Sequence, residues 1–315
     1  MDNLTHSLVG ALIGQMGLKR RTGLAMPTLI IAANIPDIDA VATLLGGQQH
    51  LAIRRGLTHG PIAMLVLPLI LWGIMLWFDR WQERRGKRPE TRLPVHKGWL
   101  LALAYIGCLS HPLFDWFNSY GIRLLEPFST QWFYGDTLFI IDIWVLAFLA
   151  TAVWISLRLE KIESARWSYP AWFGFGSVFA YISINWVISG MATVRYDGPD
   201  VMVANPVPLA FWQRELLVRD SGARRIMPHP EIYGVEEYSV EGRWQDMSAT
   251  TLGKTNMSDP RIKLWAKNNA DAQAFLFWSR MPVAELYDDH IVLRDQRFMD
   301  PMVRDRFTVT LRPPE

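Results

Sequence analysis

The chain has 315 residues, of which 50% are hydrophobic, and its formal net charge is +2. So small a net charge excludes a bulk electrostatic attraction to nucleic acid, and no nucleic-acid partner is expected. A single cysteine, Cys108, excludes an internal disulfide and leaves the redox compartment open. No basic leader precedes the first apolar run and no small-residue cleavage site follows it, so no cleavable signal peptide is expected.

Apolar sequence dominates residues 1–193 and divides into six segments. These are residues 4–18, 24–45, 62–78, 99–117, 138–157 and 171–192. A bilayer core of ~30 Å needs about 20 residues per helix, and the third, fifth and sixth segments meet this length. The first segment is short, and the second and fourth contain charged residues, so these three either insert in part or are shielded by the others. The sequence predicts a mainly α fold, a multi-pass helical bundle in the membrane over residues 1–193.

Basic residues concentrate in alternate connections between these segments. They follow segments one, three and five: Lys19, Arg20, Arg21, Arg80, Arg84, Arg85, Lys87, Arg88, Arg92, Lys97, Arg158, Lys161 and Arg166. Basic loops stay in the cytoplasm, so both termini are expected on the other side of the plasma (inner) membrane. This prediction requires that all six segments cross.

Residues 194–315 are more polar and contain short runs with strand character. The predicted strands are residues 236–240, 274–278, 290–293 and 307–311, and the last of these alternates with period two. The sequence therefore predicts a small, soluble, β-rich or α+β domain on the non-cytoplasmic side. Asp288, Asp289 and His290 are expected to form a solvated turn or strand edge and not a metal site.

Ionisable side chains lie within or beside the apolar segments, where they are rare and usually functional. They are Asp2, His6, Asp37, Asp39, His59, His111, Asp115, Asp136 and Asp142. Several have a structural explanation: Asp2 as a helix cap, Asp37 as a turn residue, Asp142 as a partner of Arg55 or Arg123, and each histidine as a satisfied core group. Taken together, however, the predicted topology places nearly all of them at one membrane face, opposite the basic loops.

Imidazole and carboxylate groups gathered at one face indicate a metal site. Spacing i, i+4 puts His111 and Asp115 on one side of a helix, where both could bind one ion. The predicted ligands are His6, Asp37, Asp39, His59, His111 and Asp115. Six ligands are enough for one or two divalent ions per chain, either Zn or Mn, with a carboxylate bridging the two.

Short blocks around these residues resemble the YdjM/YbcI-type family of membrane-bound, predicted metal-dependent hydrolases. The blocks are residues 1–6, 34–39, 55–59, 110–121, 125–128 and 135–142, and those at 278–282 and 295–298 look like the C-terminal region of longer members. Arg54 stands where many members have histidine, so that position is not counted as a ligand. The resemblance implies metal-dependent hydrolysis at a membrane. The ligand types are also similar to those of zinc-dependent phospholipases C, an analogy of site alone.

The predicted function is hydrolysis of an ester, preferably a phosphoester, at the membrane interface. Asp39 or Asp136 would act as the base, Arg55 would hold an anionic group, and Asn118 would orient the substrate or a ligand. A lipid or lipid-linked substrate is expected, although a soluble one remains open. The alternatives are a non-catalytic interaction or structural protein braced by a metal or a polar network, and, less favoured, a transporter. The oligomeric state is not predicted.

Overall fold

A computed structural model describes residues 1–193, 201–220, 232–239, 253–299 and 303–314. The chain divides into two compact units. The first comprises Met1–Asp39 and Arg55–Ile184, and the second comprises Ala40–Arg54 and Asn185–Glu315. The first unit is helical and the second contains the β-sheets, so the predicted combination of a helical bundle and a small strand-containing region is confirmed. Ala40–Arg54 packs with the second unit although Asp39 and Arg55, at its two ends, belong to the first.

Seven α-helices lie within residues 1–193. They are α1 (Asn3–Gln15), α2 (Ala25–Ala32), α3 (His50–Ile53), α4 (Pro61–Arg84), α5 (Lys97–Trp116), α6 (Ile143–Lys161) and α7 (Tyr169–Thr193). Short 3₁₀ helices occupy Leu18–Arg20, Ile35–Leu45 and Leu57–His59. Buried apolar side chains of α2, α4 and α5 form one core cluster: Ala32, Met64, Leu71, Met75, Leu100, Ala104 and Cys108.

Three of these helices, α4, α6 and α7, are long and apolar enough to cross a bilayer. They coincide with the third, fifth and sixth predicted segments. The pair α2 and Ile35–Leu45 bends by 44° at its break and adds at most one further span. Among the described helices, α1 has only 13 residues, about 20 Å at 1.5 Å per residue, which is too short for a ~30 Å core. Six full crossings are therefore not found, and the side on which the C-terminal region lies stays a prediction.

Two of the acidic residues singled out in the sequence cap helices. Asp2 is the N-cap of α1, where its side chain accepts a hydrogen bond from Thr5 N at 3.0 Å. Asp142 is the N-cap of α6 and accepts from Trp144 N at 3.0 Å and from Val145 N at 3.1 Å. The structural explanation therefore holds for Asp2, and Asp142 has a capping role that the sequence analysis did not consider.

In the second unit, the described residues after α7 form two antiparallel sheets and two α-helices. The first sheet has the order β1 (Val201–Pro206), β2 (Gln213–Asp220), β3 (Ile232–Ser239), β4 (Gly253–Lys254), and the second has the order β5 (Pro282–Leu286), β6 (Ile291–Asp295), β7 (Thr308–Leu311). Helices α8 (Pro260–Ala266) and α9 (Ala270–Trp278) precede β5. Val203 and Leu217, which are paired across β1 and β2, pack with Met281 in a buried cluster.

Three of the four predicted strands coincide with observed strands, and one prediction is wrong. Residues 290–293 and 307–311 fall largely on β6 and β7, and residues 236–239 lie in β3, while Val240 is outside the described residues. Residues 274–278 are helical, as part of α9, because Asn269 caps that helix by accepting from Ala272 N at 3.0 Å. An apolar run of five residues is too short to distinguish the periodicity of a helix from that of a strand. Asp289 is exposed in the turn between β5 and β6, as expected.

Asp295, at the end of β6, organises the chain around the start of β5. Its Oδ2 accepts hydrogen bonds from Ser279 Oγ at 2.5 Å and Arg280 N at 3.0 Å, and its Oδ1 accepts from Arg297 Nε at 2.8 Å. Burial alone would raise the pKa of the Asp295 carboxyl, but the charge and hydrogen bonds of Arg297 hold its pKa below the usual value. Arg297 in turn lies over the Trp278 ring, so this buried ion pair joins α9 to β6.

Replacing Asp295 with Asn is expected to destabilise this region by about 3–5 kcal/mol, because Arg297 is left buried without its counter-charge. Hydrogen exchange of the full chain, followed by mass spectrometry over residues 278–298, measures the loss. A folded-state pKa below the unfolded value of about 3.9 means that the pair stabilises the fold above that pH and less as the pH falls through the folded pKa. The difference between wild type and variant should therefore shrink as the pH falls below about 3.9. Equal exchange in Asp295→Asn and in the exposed control Asp288→Asn would contradict this role.

Candidate metal centre

Four buried side chains converge in the first unit: Asp37, His59, His111 and Asp115. One ligand atom from each lies within 4.8 Å of the other three. Their exposures are 6%, 1%, 0% and 1%, so the group is almost fully withdrawn from solvent. Asp37 comes from the 3₁₀ segment after α2, His59 from the turn before α4, and His111 and Asp115 from one face of α5. Two imidazoles and two carboxylates can together bind a divalent metal ion.

His111 is held by a backbone carbonyl that the sequence of α2 leaves available. Its Nδ1 lies 2.7 Å from the carbonyl oxygen of Ala33. In a continuing helix this oxygen would accept from Asp37 N, but Asp37 N donates to Asn34 O instead at 3.1 Å. Pro36, which has no N–H, breaks the helical hydrogen-bond pattern here. His111 therefore carries its proton on Nδ1 and presents an unprotonated Nε2 to the group.

His59 is oriented by Thr58 and Asp39. Thr58 Oγ1 donates to Asp39 Oδ2 at 2.9 Å, so it accepts from His59 Nδ1, also at 2.9 Å. Asp39 Oδ2 lies 3.5 Å from the same His59 nitrogen and accepts from Arg55 N at 2.8 Å. Asp39 is outside the four-residue group, and its described contacts are those of a residue that positions a ligand. As in His111, the proton is assigned to Nδ1 and Nε2 is left as the ligand atom.

The Nε2 atoms of His59 and His111 face each other 3.1 Å apart. With both protons on Nδ1, two lone pairs point at one another, an arrangement that is repulsive unless a cation lies between them. Two histidines bound to one tetrahedral zinc ion, with Zn–N of about 2.0–2.1 Å, have nitrogens roughly 3.3 Å apart. The observed separation fits this value, so the residues present fit a metal ion.

Asp115 lies at the centre of the polar contacts. Its Oδ2 is 3.5 Å from His111 Nε2 and 3.7 Å from His59 Nε2. Arg55 Nε contacts the same oxygen at 2.9 Å, and the Met1 amino group contacts Oδ1. Arg55, expected to hold a substrate anion, is itself 4% exposed, so its charge already offsets that of a ligand.

Arg55 is held in place by the loop that follows α5. Its Nη1 donates to Asn118 Oδ1 at 2.9 Å and to Gly121 O at 3.3 Å, and its guanidinium lies over the Tyr120 ring. Asn118 Oδ1 also accepts from Tyr120 N at 2.9 Å. Asn118 therefore orients Arg55, which in turn contacts Asp115. Its expected role toward a substrate stays a prediction.

The remaining predicted residues lie at the edge of the group. The His6 ring stacks on His111, and its Nε2 is 3.3 Å from Asp115 Oδ1, although His6 is not one of the four. Asp136 is likewise outside the group, in the loop between α5 and α6, where its φ is 47°. The structure therefore brings four of the six predicted ligands into one group, with His6 at its edge and Asp39 behind His59.

Two close approaches need glycine. A Cβ on Gly107, one turn before His111, would lie 2.6 Å from Ala32 Cβ and 2.8 Å from Leu29 O, so α5 packs against α2 closely enough for His111 to reach Ala33. A Cβ on Gly60, next to His59, would lie 1.8 Å from Glu126 O. The loop after α5 therefore presses directly on the turn that carries His59.

Sequence analysis missed two contributors to the centre. Thr58 entered the sequence analysis only as part of the block at residues 55–59, although a hydroxyl next to a candidate ligand histidine is a recognisable signal. The Ala33 carbonyl gives no side-chain signal, and only the proline three residues later indicates that a backbone acceptor is available nearby.

Changing Asp39 to Asn is expected to weaken metal binding by about 10–100-fold, because His59 loses the carboxylate behind its Thr58 contact. Competition with a fluorescent chelator, in detergent, measures the affinity. Asp305→Asn, which alters an exposed carboxylate, is the control and should leave the affinity unchanged. If Asp39→Asn binds as tightly as wild type, His59 does not depend on this contact.

Substituting Ala for Gly60 is expected to abolish metal binding, since the new Cβ forces the His59 turn away from Glu126. Gly73→Ala in α4 is the matched control, because a Cβ there meets nothing within 4 Å. Metal content of the two purified variants, measured by elemental analysis, makes the comparison. Full metal content in Gly60→Ala would show that the turn need not hold this position.

Comparison with known proteins relates residues 1–192 to a family. Residues 1–192 match the family described as YdjM inner membrane protein. The uncharacterized protein YfhP of Bacillus subtilis (strain 168) is 28% identical over 140 residues, which cover 42% of this chain and 39% of that protein. No solved structure matches. All four residues of the buried group lie inside the matched region, and the chain belongs to the YdjM inner membrane protein family.

Proposed function

We propose that this protein is a membrane-bound metal-dependent hydrolase that cleaves a phosphoester at the surface of the inner membrane. Asp37, His59, His111 and Asp115 hold the ion, which is Zn or Mn. The observation that carries the proposal is the pair of Nε2 atoms 3.1 Å apart, each on a ring whose Nδ1 is engaged elsewhere. Membership in an inner membrane family and three apolar helices long enough to span support the membrane location.

A bound divalent ion would polarise the phosphoryl oxygen and lower the pKa of its water to about 7. The chain's own residues would then supply orientation and a proton acceptor. Thr58 and Asp39 fix the His59 ring, and Arg55 fixes Asp115. The base is a carboxylate outside the ligand set, either Asp39 or Asp136.

Exposed apolar residues beside the ligands favour a lipid or lipid-linked substrate. Ile38, between Asp37 and Asp39, is 60% exposed, and Leu57, two residues before His59, is 57% exposed. Large apolar side chains exposed next to buried charged groups are expected where a site opens toward the acyl chains or the interface. The headgroup phosphate would then approach the centre while the chains stay in the bilayer.

One observation favours a second candidate, a metal ion that braces the fold without catalysis. All four residues of the group are at most 6% exposed, and a structural site is typically closed by protein ligands. The two candidates share the ion and differ in activity, so a hydrolysis assay separates them.

Wild-type protein in detergent, loaded with Zn or Mn, is expected to release phosphate from phosphatidic acid in mixed micelles faster than from a soluble aryl phosphate. His111→Ala should reduce release to the rate without protein, because a ligand is lost. His290→Ala, at the β5–β6 turn, is the control for a histidine outside the centre. Metal bound at full content with no hydrolysis of either substrate, or hydrolysis that His111→Ala leaves unchanged, would contradict the proposal.

A further inference from the structure

His6 is a buried imidazole that the four-residue group leaves unused. It is 1% exposed, and neither ring nitrogen makes a hydrogen bond among the described residues. His59 and His111 differ, since each has a partner at Nδ1. A polar group buried without a partner costs free energy, so a ligand for His6 is the simplest way to offset that cost.

The ring geometry shows where such a ligand would lie. The His6 and His111 rings are stacked with centroids 3.7 Å apart and planes inclined by 19°. Both Nε2 atoms approach Asp115, that of His6 at 3.3 Å from Oδ1 and that of His111 at 3.5 Å from Oδ2. Nitrogen lone pairs lie in the ring planes, so two nearly parallel rings direct them to separate points and not to one ion.

Those two points are separated by about the distance between the rings. Two-metal sites hold their ions about 3.5–4 Å apart, commonly bridged by a carboxylate. Asp115 offers one oxygen to each position, as a bridging ligand does. The Met1 amino group contacts the same Oδ1 that His6 approaches, so a second ion bound there would displace this contact.

We propose that the centre is binuclear, with a second divalent ion bound by His6 Nε2 and Asp115 Oδ1. The first ion occupies the four-residue group, and Asp115 bridges the two. This inference rests on the proposed function, and it specifies the substrate class further. Two ions side by side stabilise both the attacking and the leaving oxygen of a phosphoryl group, so a phosphoester is favoured over a carboxylic ester.

The test uses the full chain in detergent, loaded with Mn(II) and freed of excess ion. Elemental analysis gives the ions per chain, and electron paramagnetic resonance distinguishes an exchange-coupled pair from isolated ions. Wild type is compared with His6→Phe, which keeps an aromatic ring against His111 but removes both nitrogens. His290→Ala is the control for ions bound adventitiously, and His59→Ala reports on the first site.

Wild type and His290→Ala are expected to hold two coupled Mn(II) ions, and His6→Phe one uncoupled ion. The ion retained by His6→Phe also shows that this variant is folded. One ion in wild type, lost in His59→Ala and unchanged in His6→Phe, would overturn the second site while leaving the proposed function standing. Two coupled ions in His6→Phe would overturn the assignment to His6, and no ion in wild type would overturn both proposals.

Discussion

The facing Nε2 atoms of His59 and His111 are the contact on which the rest of the centre depends. Each ring is turned toward the other by a hydrogen bond on its far side, to Ala33 O in one case and to Thr58 in the other. Neither contact would suffice without close packing, because Gly107 lets α5 approach α2 and Gly60 lets the loop after α5 close over the His59 turn. Backbone geometry thus turns the two Nε2 atoms toward each other, where a bound cation would relieve the repulsion between their lone pairs.

Charge inside an apolar helical bundle imposes a second constraint. Buried carboxylates such as Asp115 are tolerated when paired, and Arg55 and the Met1 amino group both contact it. Arg55 is in turn fixed by Asn118 and Gly121 from the loop after α5. This explains why the loop between α5 and α6, which carries none of the four residues, still contributes to the centre.

Much of the helical unit could be predicted from the sequence, because long apolar runs and the requirement to bury backbone polar groups in lipid leave few alternatives. The residue types of the buried group were predictable for the same reason, since ionisable residues stand out against apolar sequence. Their individual roles were less accessible. Asp37 and Asp39 flank Ile38, and the sequence alone does not distinguish their roles. The 3₁₀ segment nevertheless directs Asp37 into the group and Asp39 behind His59.

Short elements were the least predictable. Residues 274–278 are apolar throughout, so neither the 3.6-residue period of a helix nor the two-residue period of a strand could be recognised. The N-cap at Asn269 favours the helix that the structure shows. The end of α1 was also misplaced, because its apolar composition continues to Leu18 while the helix ends at Gln15, just before Gly17 with φ of 115°. Backbone conformation and tertiary contacts, which a single sequence does not display, decided both cases.

X-ray absorption spectroscopy of the purified, metal-loaded protein at the metal edge tests the central claim most directly. The account predicts nitrogen and oxygen neighbours at about 2.0–2.2 Å for zinc, with the outer-shell scattering of imidazole rings. The double variant that carries His59→Ala and His111→Ala should lose the ion and, with it, the imidazole scattering. A metal surrounded by water oxygens alone, with no imidazole scattering, would contradict the assignment of the two facing histidines as ligands.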